Sequence, residues 1–196
     1  MILTVLVDLD AIVADSLKKW LALYNKDYDD NLTVAGVTEY DISKAVKPEA
    51  CKTIYDYIRR HDFFDNLEPI EGAIKVLSRL RDDGHNVVIL SAPASNPLSA
   101  AKKITWAQEH LKVKRQQVML GHLKHLVKGD VFIDDSPDNI VSYRMAWPDA
   151  HVLTIEYPYN REVHELVNLM ASDYENTKQA WQQIDEYISN LAKSDT

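Results

Sequence analysis

The sequence predicts an α/β protein: a Rossmann-like parallel sheet sandwiched by helices, with a small helical cap inserted after the first strand. Two observations predict the sheet. Short apolar runs alternate with segments of helical periodicity, and three of the apolar runs end in polar residues, as in parallel sheets with helical crossovers. A third observation predicts the cap, since residues 25 to about 67 contain no strand-like run.

The elements before residue 70 begin with a strand. Residues 3–7 are apolar and are followed by acids, which is typical of a buried central strand. A helix is predicted from about Asp15, because apolar side chains recur there at helical spacing: Leu17, Trp20, Leu21 and Tyr24. After a polar loop, Lys47-Pro48-Glu49 predicts the start of a second helix that ends at His61.

After residue 70, helices and strands alternate. Residues 71–83 predict a helix that Gly84 ends. Asn96 and Pro97 predict the N-cap and the first residue of the next helix, which reaches about Leu111. Further helices are predicted after Pro137 and over residues 177–191. The strands are predicted at residues 87–90, 117–120, 131–133 and 152–155.

The length of the chain limits its domain organisation. A chain of 196 residues suits one domain with a sizeable core and a small inserted subdomain. We predict an α/β core made of residues 1–16 and 70–196, and a helical cap made of residues 17–69.

Composition and charge argue against several classes of protein. The net charge is −8 and Lys and Arg are scattered, which argues against binding to polymeric nucleic acid. The apolar start has no basic segment and is too short to span a membrane. Together with the single cysteine, Cys51, this predicts a cytoplasmic protein without an internal disulfide. Whether the chain is a monomer or a homodimer stays open.

Asp8 and Asp10 directly follow the first predicted strand. If the chain stays extended there, its alternation points both carboxylates to the same side. That arrangement suits a nucleophile and a neighbouring acid/base. Aspartate after a strand is also common in turns and as a helix cap, so this pair alone leaves both interpretations open.

A second acidic pair, Asp134-Asp135, follows another predicted strand. Clustered carboxylates repel each other unless a cation lies between them, and oxygen ligands without a Cys or His cluster favour Mg²⁺. The alternative is an Asx turn that leads into the helix at Pro137. Because both acidic pairs share one strand-then-acid pattern, the metal-site interpretation is favoured.

Ser91 and Lys103 are the candidates for phosphate binding. Ser91 ends the second strand, where its hydroxyl and nearby backbone amides are available to phosphate oxygens. Lys103 lies on the following helix and has the charge to neutralise a phosphate. Each has an ordinary alternative, since serine at a strand end is often structural and an isolated helix lysine is usually solvated.

Four groups of residues resemble the four motifs of the haloacid dehalogenase-like hydrolases in order and spacing: Asp8-Leu9-Asp10, Ser91, Lys103 and Asp134-Asp135. More narrowly, the chain resembles the 5′(3′)-deoxyribonucleotidases. The resemblance is carried by residues 7–15, 63–73, 90–93, 103–106 and 132–138, which span about the first two-thirds of the chain. Phe63-Phe64 and the Lys103-x-x-Trp106 segment favour the nucleotidase branch.

The resemblance implies a role for each of these residues. Asp8 would attack phosphorus, and Asp10 would protonate the leaving alkoxide and later activate water. Ser91 and Lys103 would bind the phosphoryl group, and Lys103 would also steady Asp8. The cofactor Mg²⁺ would be held by Asp8, the backbone carbonyl of Asp10 and Asp135, with Asp134 in support.

The chain departs from the family pattern at several positions. Ala11 stands where the family usually has glycine, and we expect its methyl group to be tolerated if φ there is negative. Ala92 replaces a second hydroxyl, so one phosphate contact is expected to be missing. His122 and Lys124 stand where related enzymes carry Arg and Lys, and both are candidate substrate contacts. A surface or packing role is the alternative for His122.

Substrate specificity is expected to come from the cap. Phe63, Phe64 and Tyr40 are candidates to stack on a nucleobase. The alternative for the two phenylalanines is a place in the core of the cap. The four tryptophans are assigned to packing because each lies on or beside an amphipathic element: Trp20, Trp106, Trp147 and Trp181.

The leading hypothesis is a magnesium-dependent phosphatase that hydrolyses (deoxy)ribonucleoside monophosphates through an aspartyl-phosphate intermediate. Two alternatives stay open. One is a phosphatase for another small phosphomonoester, such as a sugar phosphate. The other is a non-catalytic nucleotide-binding protein with the same fold, against which the retained carboxylates and Lys103 argue.

Overall fold

A computed structural model describes residues 1–194 of the protein. Its centre is a sheet of six strands in the order β3-β2-β1-β4-β5-β6, and every neighbouring pair is parallel. The strand order reverses between β1 and β4, and such a reversal leaves a crevice at the carboxyl ends of the two strands. The strands are β1 (Thr4–Val7), β2 (Asn86–Ser91), β3 (Val118–Leu120), β4 (Val131–Ile133), β5 (His151–Glu156) and β6 (Leu169–Asp173).

Helices connect the strands and cover the sheet. The α-helices of the described residues are α1 (Ser16–Tyr28), α2 (Asp56–Arg59), α3 (Ala73–Asp82), α4 (Pro97–Leu111), α5 (Pro137–Ala146) and α6 (Thr177–Ser194). Short 3₁₀ segments occupy Val34–Gly36, Ile42–Lys44, Arg115–Gln117, Lys124–Leu126, Pro158–Leu166 and Tyr174–Asn176. The predicted α/β sheet with helices on both faces is confirmed.

Both faces of the sheet are buried against helices. Successive residues of a strand point to opposite faces, so β1 sends Val5 and Val7 to one core and Leu6 to the other. The first core includes Trp181 of α6. In the second core, the ring of Phe132 stacks on Tyr143 of α5, with centroids 4.0 Å apart. Strands that are apolar on both faces therefore form the centre of the molecule, as the sequence of β1 predicts.

The predicted helix ends near the sheet edge are confirmed. The side chain of Asp15 accepts a hydrogen bond from the amide of Lys18 at the start of α1, and Asn96 caps α4 in the same way. Gly84 follows α3 with a φ of +90°, a conformation that glycine adopts at little cost. These caps fix where α1 and α4 begin, next to the polar residues at the strand ends.

The helix predicted from Lys47 to His61 is wrong over most of its length. Only α2 is helical, and residues 48–55 form turns. The carbonyl of Ile54, which a continuous helix would pair with the amide of Ile58, accepts a hydrogen bond from the indole of Trp20 at 2.9 Å. A tertiary contact to α1 therefore replaces part of the helical hydrogen bonding.

Strand β6 and the 3₁₀ segment before it are absent from the predicted elements. The sequence of β6, Leu-Met-Ala-Ser-Asp, is neither uniformly apolar nor alternating, because an edge strand is less buried than a central one. Its register with β5 shifts between Ile155 and Glu156. The periodicity of the sequence thus carries little signal for this strand.

Residues 17–69 run from α1 to the region before α3 and contain no strand, although all of them are described. Several of their side chains lie over the carboxyl ends of the strands, beside Asp10. The division into a core and a cap at the stated boundaries stays a prediction. Within residues 1–194, no helix combines the length and the apolar character needed to cross a bilayer.

Candidate active site

The carboxyl ends of β1 and β4 bring the two acidic pairs together. Val7 pairs with Ile133 in register, and the amide of Asp8 donates a hydrogen bond to the Ile133 carbonyl at 2.8 Å. Asp8, Asp134 and Asp135 each place one carboxylate oxygen within 4.8 Å of the others. Asp8 of the first pair and both members of the second, which are far apart in sequence, therefore form one cluster at the reversal of strand order.

Lys124 lies against two of these carboxylates. Its ammonium nitrogen is 2.8 Å from Asp8 Oδ1 and 2.6 Å from Asp134 Oδ2, and its side chain is only 3% exposed. The sequence position of Lys124 predicts a substrate contact. The structure places the ammonium group against two buried carboxylates at the base of the site, and its contact with substrate stays a prediction.

Burial makes it unfavourable for the three carboxyl groups of the cluster to be ionised at the same time. It raises the pKa of Asp8 to about 6; Lys124 opposes this rise, whereas Asp134 and Asp10 add to it. Burial also raises the pKa of Asp135 well above its usual range, and the charges of Asp134 and Asp8 contribute. One ammonium group does not balance three buried carboxylates, so the cluster favours a further cation or bound protons.

Asp134 has the most complete set of hydrogen-bond partners in the cluster. Its Oδ1 accepts a hydrogen bond from the Ser136 amide at 2.9 Å and one from Asn139 Nδ2 at 3.1 Å, and its Oδ2 accepts one from Lys124. The side chain is fully buried. These contacts hold Asp134 in place without a metal, which agrees with a supporting part in a metal site.

Asp8 and Asp135 have fewer polar side-chain partners than Asp134 among the described residues. Asp8 Oδ1 lies close to Lys124 but makes no hydrogen bond of acceptable geometry among the described residues. Asp135 Oδ2 accepts a hydrogen bond from the hydroxyl of Tyr159 at 2.8 Å. Buried carboxylate oxygens of this kind fit a hard divalent cation such as Mg²⁺. The donor chemistry of the cluster is therefore compatible with the expected cofactor.

A second group of polar residues lies between β1, β2 and α4. Lys103 forms an ion pair with Asp10 Oδ2 and donates hydrogen bonds to Ser91 Oγ at 3.1 Å and to the Ala92 carbonyl at 2.6 Å. Ser91 Oγ is 3.3 Å from Asp10 Oδ2. Asp10 Oδ1 is buried and has no hydrogen-bond partner among residues 1–194. Ser91, Lys103 and Asp10 thus form one connected group.

The expectation that Lys103 steadies Asp8 stays a prediction: burial raises the pKa of Asp8 and the charge of Lys103 opposes this rise, but the ion pair of Lys103 is with Asp10. Lys103 is paired with Asp10, and Lys124 takes the position beside Asp8. The sequence places both lysines in loops or helices near the sheet edge, but it does not show which carboxylate each one reaches. The two aspartates of the first motif therefore have separate cationic partners.

The loop that follows Asp10 is held in an unusual backbone conformation. Ala11 has a φ of +56°, in the left-handed region that costs an L-residue about 1–2 kcal/mol. Ala11 therefore does not have the negative φ at which its methyl group would cause no strain. The Ala11 carbonyl accepts a hydrogen bond from the hydroxyl of Tyr157 at 2.7 Å, and the Ala11 amide donates to the Ala14 carbonyl. These contacts hold the loop in its strained form.

Two cavities open beside Asp10. The first, about 230 Å³, reaches from Asp8 and Asp135 to Tyr40. The second, about 390 Å³, contains Lys103. The residues that line both cavities are Asp10, Ser16, Trp20, Tyr55 and Ile58. A molecule with an anionic group at Asp10 could therefore extend into either space.

The aromatic candidates divide between these cavities. Phe63 and Phe64 line the second cavity and pack edge to face, and both are almost fully buried. The Lys103 ammonium lies 4.9 Å from the centre of the Phe64 ring. Tyr40 is exposed and lines the first cavity, and the exposed His122 borders the second. All four side chains lie near the site, and their contact with substrate stays a prediction.

Some residues of the site are missing from the sequence-based candidates. Trp20 is assigned to packing from its helical spacing, and it does pack on Phe63, but it also lines both cavities. Tyr157, Tyr159 and Asn160 follow β5 and reach the acidic motifs. The Tyr-Pro-Tyr-Asn sequence directly after a buried strand is the signal that points to them, since parallel strands end at the same edge of a sheet.

A protein-family model matches residues 1–193 of the chain and is described as 5′ nucleotidase, deoxy (pyrimidine), cytosolic type C protein. A 5′(3′)-deoxyribonucleotidase of Clostridium acetobutylicum is 32% identical over 142 residues, which are 70% of this chain and 76% of that protein. A 5′(3′)-deoxyribonucleotidase of Bacillus subtilis is 26% identical over 165 residues, which are 84% of this chain and 91% of that protein.

Solved structures with the same fold are more distant in sequence. A haloacid dehalogenase-like family hydrolase from Streptococcus pneumoniae superposes with a TM-score of 0.61 at 9% identity, and the match covers 95% of this chain and 98% of the other. A hydrolase from Pseudomonas syringae gives a TM-score of 0.53 at 13% identity, with coverages of 93% and 97%. At these identities the likeness shows the fold alone.

Proposed function

Because the chain belongs to the family described as 5′ nucleotidase, deoxy (pyrimidine), cytosolic type C, whose model spans residues 1–193, we propose that it hydrolyses (deoxy)ribonucleoside monophosphates with Mg²⁺ through an aspartyl-phosphate on Asp8. The chain is a phosphoric monoester hydrolase of the deoxyribonucleotidase type. The metal, the intermediate and the roles of individual residues are our proposal.

One observation carries the mechanism: the cluster in which oxygen atoms of Asp8, Asp134 and Asp135 lie within 4.8 Å of one another. A binding protein for nucleotides has no need of three buried carboxylates beside the phosphate, since they repel an anion. A phosphatase that uses a carboxylate nucleophile does need them, because a cation held there lets two anions approach.

Asp8 is the proposed nucleophile. A carboxylate oxygen of Asp8 forms a bond to phosphorus while the bond between phosphorus and the ester oxygen breaks. Lys124, 2.8 Å from Asp8 Oδ1, fixes the carboxylate and favours its ionised form. The side chain of Asp8 is almost buried, so it has few conformations to lose before attack.

Asp10 is the proposed acid and base. It protonates the departing alkoxide in the first step, and in the second step it takes a proton from the water whose oxygen attacks phosphorus and releases Asp8. Asp10 Oδ1 is buried without a hydrogen-bond partner among the described residues, so it can carry the transferred proton. Lys103 and Ser91, which contact Asp10 Oδ2, would bind the phosphoryl oxygens.

Mg²⁺ would be held by Asp8, Asp135 and the backbone carbonyl of Asp10, with Asp134 in support. When bound, it would offset the charge repulsion between the carboxylate and the phosphate. The raised pKa values of Asp8 and Asp135 support this assignment. Carboxylates that outnumber the positive charges around them are stabilised in their ionised form by a bound cation.

The nucleoside is proposed to occupy the space between the core and residues 17–69, which we treat as the cap. Phe63, Phe64 and Tyr40 are the proposed aromatic contacts of the base, and His122 is a proposed polar contact at the second cavity. The cavities beside Asp10 measure about 230 and 390 Å³, so either is of a size for part of a small ligand.

Phosphate release from a panel of substrates tests this function. The panel contains thymidine and uridine monophosphates phosphorylated at the 5′ or the 3′ position, glucose 6-phosphate and p-nitrophenyl phosphate, each with Mg²⁺ or with EDTA. We expect Mg²⁺-dependent hydrolysis with the highest kcat/KM on nucleotides. The variant Asp8→Asn, purified in parallel, controls for contaminating phosphatases. A flat or sugar-favouring profile would overturn the nucleotide assignment, and no release from any substrate would overturn the phosphatase.

A further inference from the structure

The turn after β5, residues 157–160, contacts both acidic motifs and has no part in the proposed chemistry. The Tyr159 hydroxyl donates a hydrogen bond to Asp135 Oδ2 at 2.8 Å, and Asn160 Nδ2 lies 3.2 Å from the Asp135 carbonyl. The Tyr157 hydroxyl donates to the Ala11 carbonyl at 2.7 Å. One short turn therefore reaches the loop after β1 and the loop after β4.

A hydrogen bond from Tyr159 limits the rotation of the Asp135 carboxylate. The torsion that rotates an aspartate carboxylate has a broad energy profile, so burial alone does not fix the direction of its oxygens. Asp134, by contrast, is held by Ser136, Asn139 and Lys124. Among the described residues, the side-chain hydrogen bond that holds the Asp135 carboxylate comes from Tyr159.

Tyr159 itself is rigidly placed. Its ring stacks on that of Tyr157 at a centroid distance of 5.1 Å, and the ring of Tyr40 packs against it edge to face at 5.6 Å. Asn160 Oδ1 accepts a hydrogen bond from the Tyr157 amide at 2.9 Å, which closes the turn. Tyr159 and Asn160 are both buried. The phenol hydroxyl thus has a defined position from which to orient a carboxylate.

We propose that Tyr159 is a positioning residue: its hydroxyl binds one oxygen of Asp135 so that the other faces Asp8 and the cation. This inference rests on the proposed function, because it assumes that Asp135 is a metal ligand. Hydrogen-bond partners of metal ligands usually contribute about 10–100-fold in metal affinity or activity. The Tyr159 hydroxyl should make a contribution of this kind without touching substrate.

Titration of the substrate-free enzyme with Mg²⁺ by calorimetry tests the proposal with the variant Tyr159→Phe. This variant keeps the ring, its stacking and the wall of the first cavity, and it removes only the hydroxyl. We expect the Kd for Mg²⁺ to rise about 10-fold or more. At saturating Mg²⁺ we expect kcat to recover most of the wild-type value, since the hydroxyl acts through Asp135.

The matched control is Tyr143→Phe, which removes another buried and hydrogen-bonded tyrosine hydroxyl, 2.9 Å from the Gly129 amide and outside the acidic cluster. Its Kd for Mg²⁺ should equal that of the wild type. Equal Kd values for Tyr159→Phe and the wild type would overturn the positioning role and leave the metal site standing. A similar loss in both variants would also overturn it. If the wild type binds no Mg²⁺, the proposed metal site fails together with this inference.

Discussion

The site has two halves that balance charge differently. The Asp8 half consists of Asp8, Lys124, Asp134 and Asp135; the Asp10 half consists of Asp10, Ser91 and Lys103. In the first, three carboxylates share one ammonium group, and every side chain is buried. In the second, one carboxylate meets one ammonium group, and the Asp10 side chain is 30% exposed.

The difference in charge balance and burial indicates which half suits the metal ion and which suits the phosphate. The Asp8 half has three buried carboxylates and one ammonium group, so a metal ion stabilises it most. The Asp10 half is neutral and open to both cavities, so an incoming phosphate can compete with Asp10 for Lys103 and Ser91. The following predictions test this contrast.

The largest effects are expected from changing the two aspartates of the first motif. Asp8→Asn removes the nucleophile and should lower kcat on the order of 10⁴-fold or more for every substrate. Asp10→Asn removes the acid, so its effect should depend on the leaving group. We expect kcat/KM, which reports the steps up to formation of the aspartyl-phosphate, to fall about 10²–10⁴-fold for a nucleoside monophosphate and much less for p-nitrophenyl phosphate, whose leaving group needs no proton. Steady-state kinetics on both substrates measure the contrast.

The leaving-group comparison has an internal control. Both variants are isosteric amides, so circular dichroism and thermal unfolding should show that each one folds. If Asp10→Asn lowers kcat/KM by the same factor on both substrates, Asp10 is not the acid; an equal loss in kcat alone is expected from its role as base, since both substrates give the same aspartyl-phosphate. Retained turnover in Asp8→Asn would refute the nucleophile. Either result would contradict the assignment of the nucleophile to the Asp8 half and of the acid to the Asp10 half.

The next effect concerns the two buried lysines. In metal-free protein, Lys124→Met leaves two buried carboxylates without their cation and should lower the free energy of unfolding by about 3 kcal/mol. Lys103→Met should cost less, because the Asp10 side chain is partly exposed to water, although Lys103 itself is buried. Urea denaturation measures both variants. Equal losses of unfolding free energy in the two variants would mean that the difference in burial between the halves does not affect stability.

A pH dependence is expected from Asp8. Its pKa is about 6 in the folded protein and near 3.8 when unperturbed, so between these values the folded state binds more protons than the unfolded state. The free energy of unfolding of metal-free protein should therefore fall as pH rises from about 4 to about 6. Denaturation across this range should show a shallower fall in Asp8→Asn. If the free energy of unfolding of Asp8→Asn falls with pH as steeply as that of the wild type, the raised pKa belongs to another carboxyl group of the cluster.

The sequence predicts the outline of the site because strand ends are easy to locate. Asp8, Ser91 and Asp134 each follow an apolar run, and parallel strands end at one edge, so their approach follows from the fold. The partners of Lys103 and Lys124 do not follow from it. Both lysines lie outside the strands, and the direction that a side chain takes from a helix or loop depends on tertiary packing.

The remaining disagreements have the same physical origin. Residues 48–55 contain residues compatible with a helix, but the indole of Trp20 takes the carbonyl of Ile54. Tyr159 follows a strand that the sequence predicts, yet a 3₁₀ segment carries it back to Asp135. Local periodicity predicts most of the elements, whereas contacts between elements decide which polar groups meet.

The smallest effect is expected at Ala11, which directly follows Asp10. In Ala11→Gly, relief of the left-handed conformation, about 1–2 kcal/mol, is offset by greater chain entropy, about 0.5–1 kcal/mol, and by the lost burial of one methyl group, about 0.8 kcal/mol. The free energy of unfolding should change by less than about 0.5 kcal/mol. Ala180→Gly is the matched control, because Ala180 is fully buried in α6 and should lose about 1–2 kcal/mol. If Ala11→Gly costs as much as Ala180→Gly, the φ of +56° at Ala11 carries no strain.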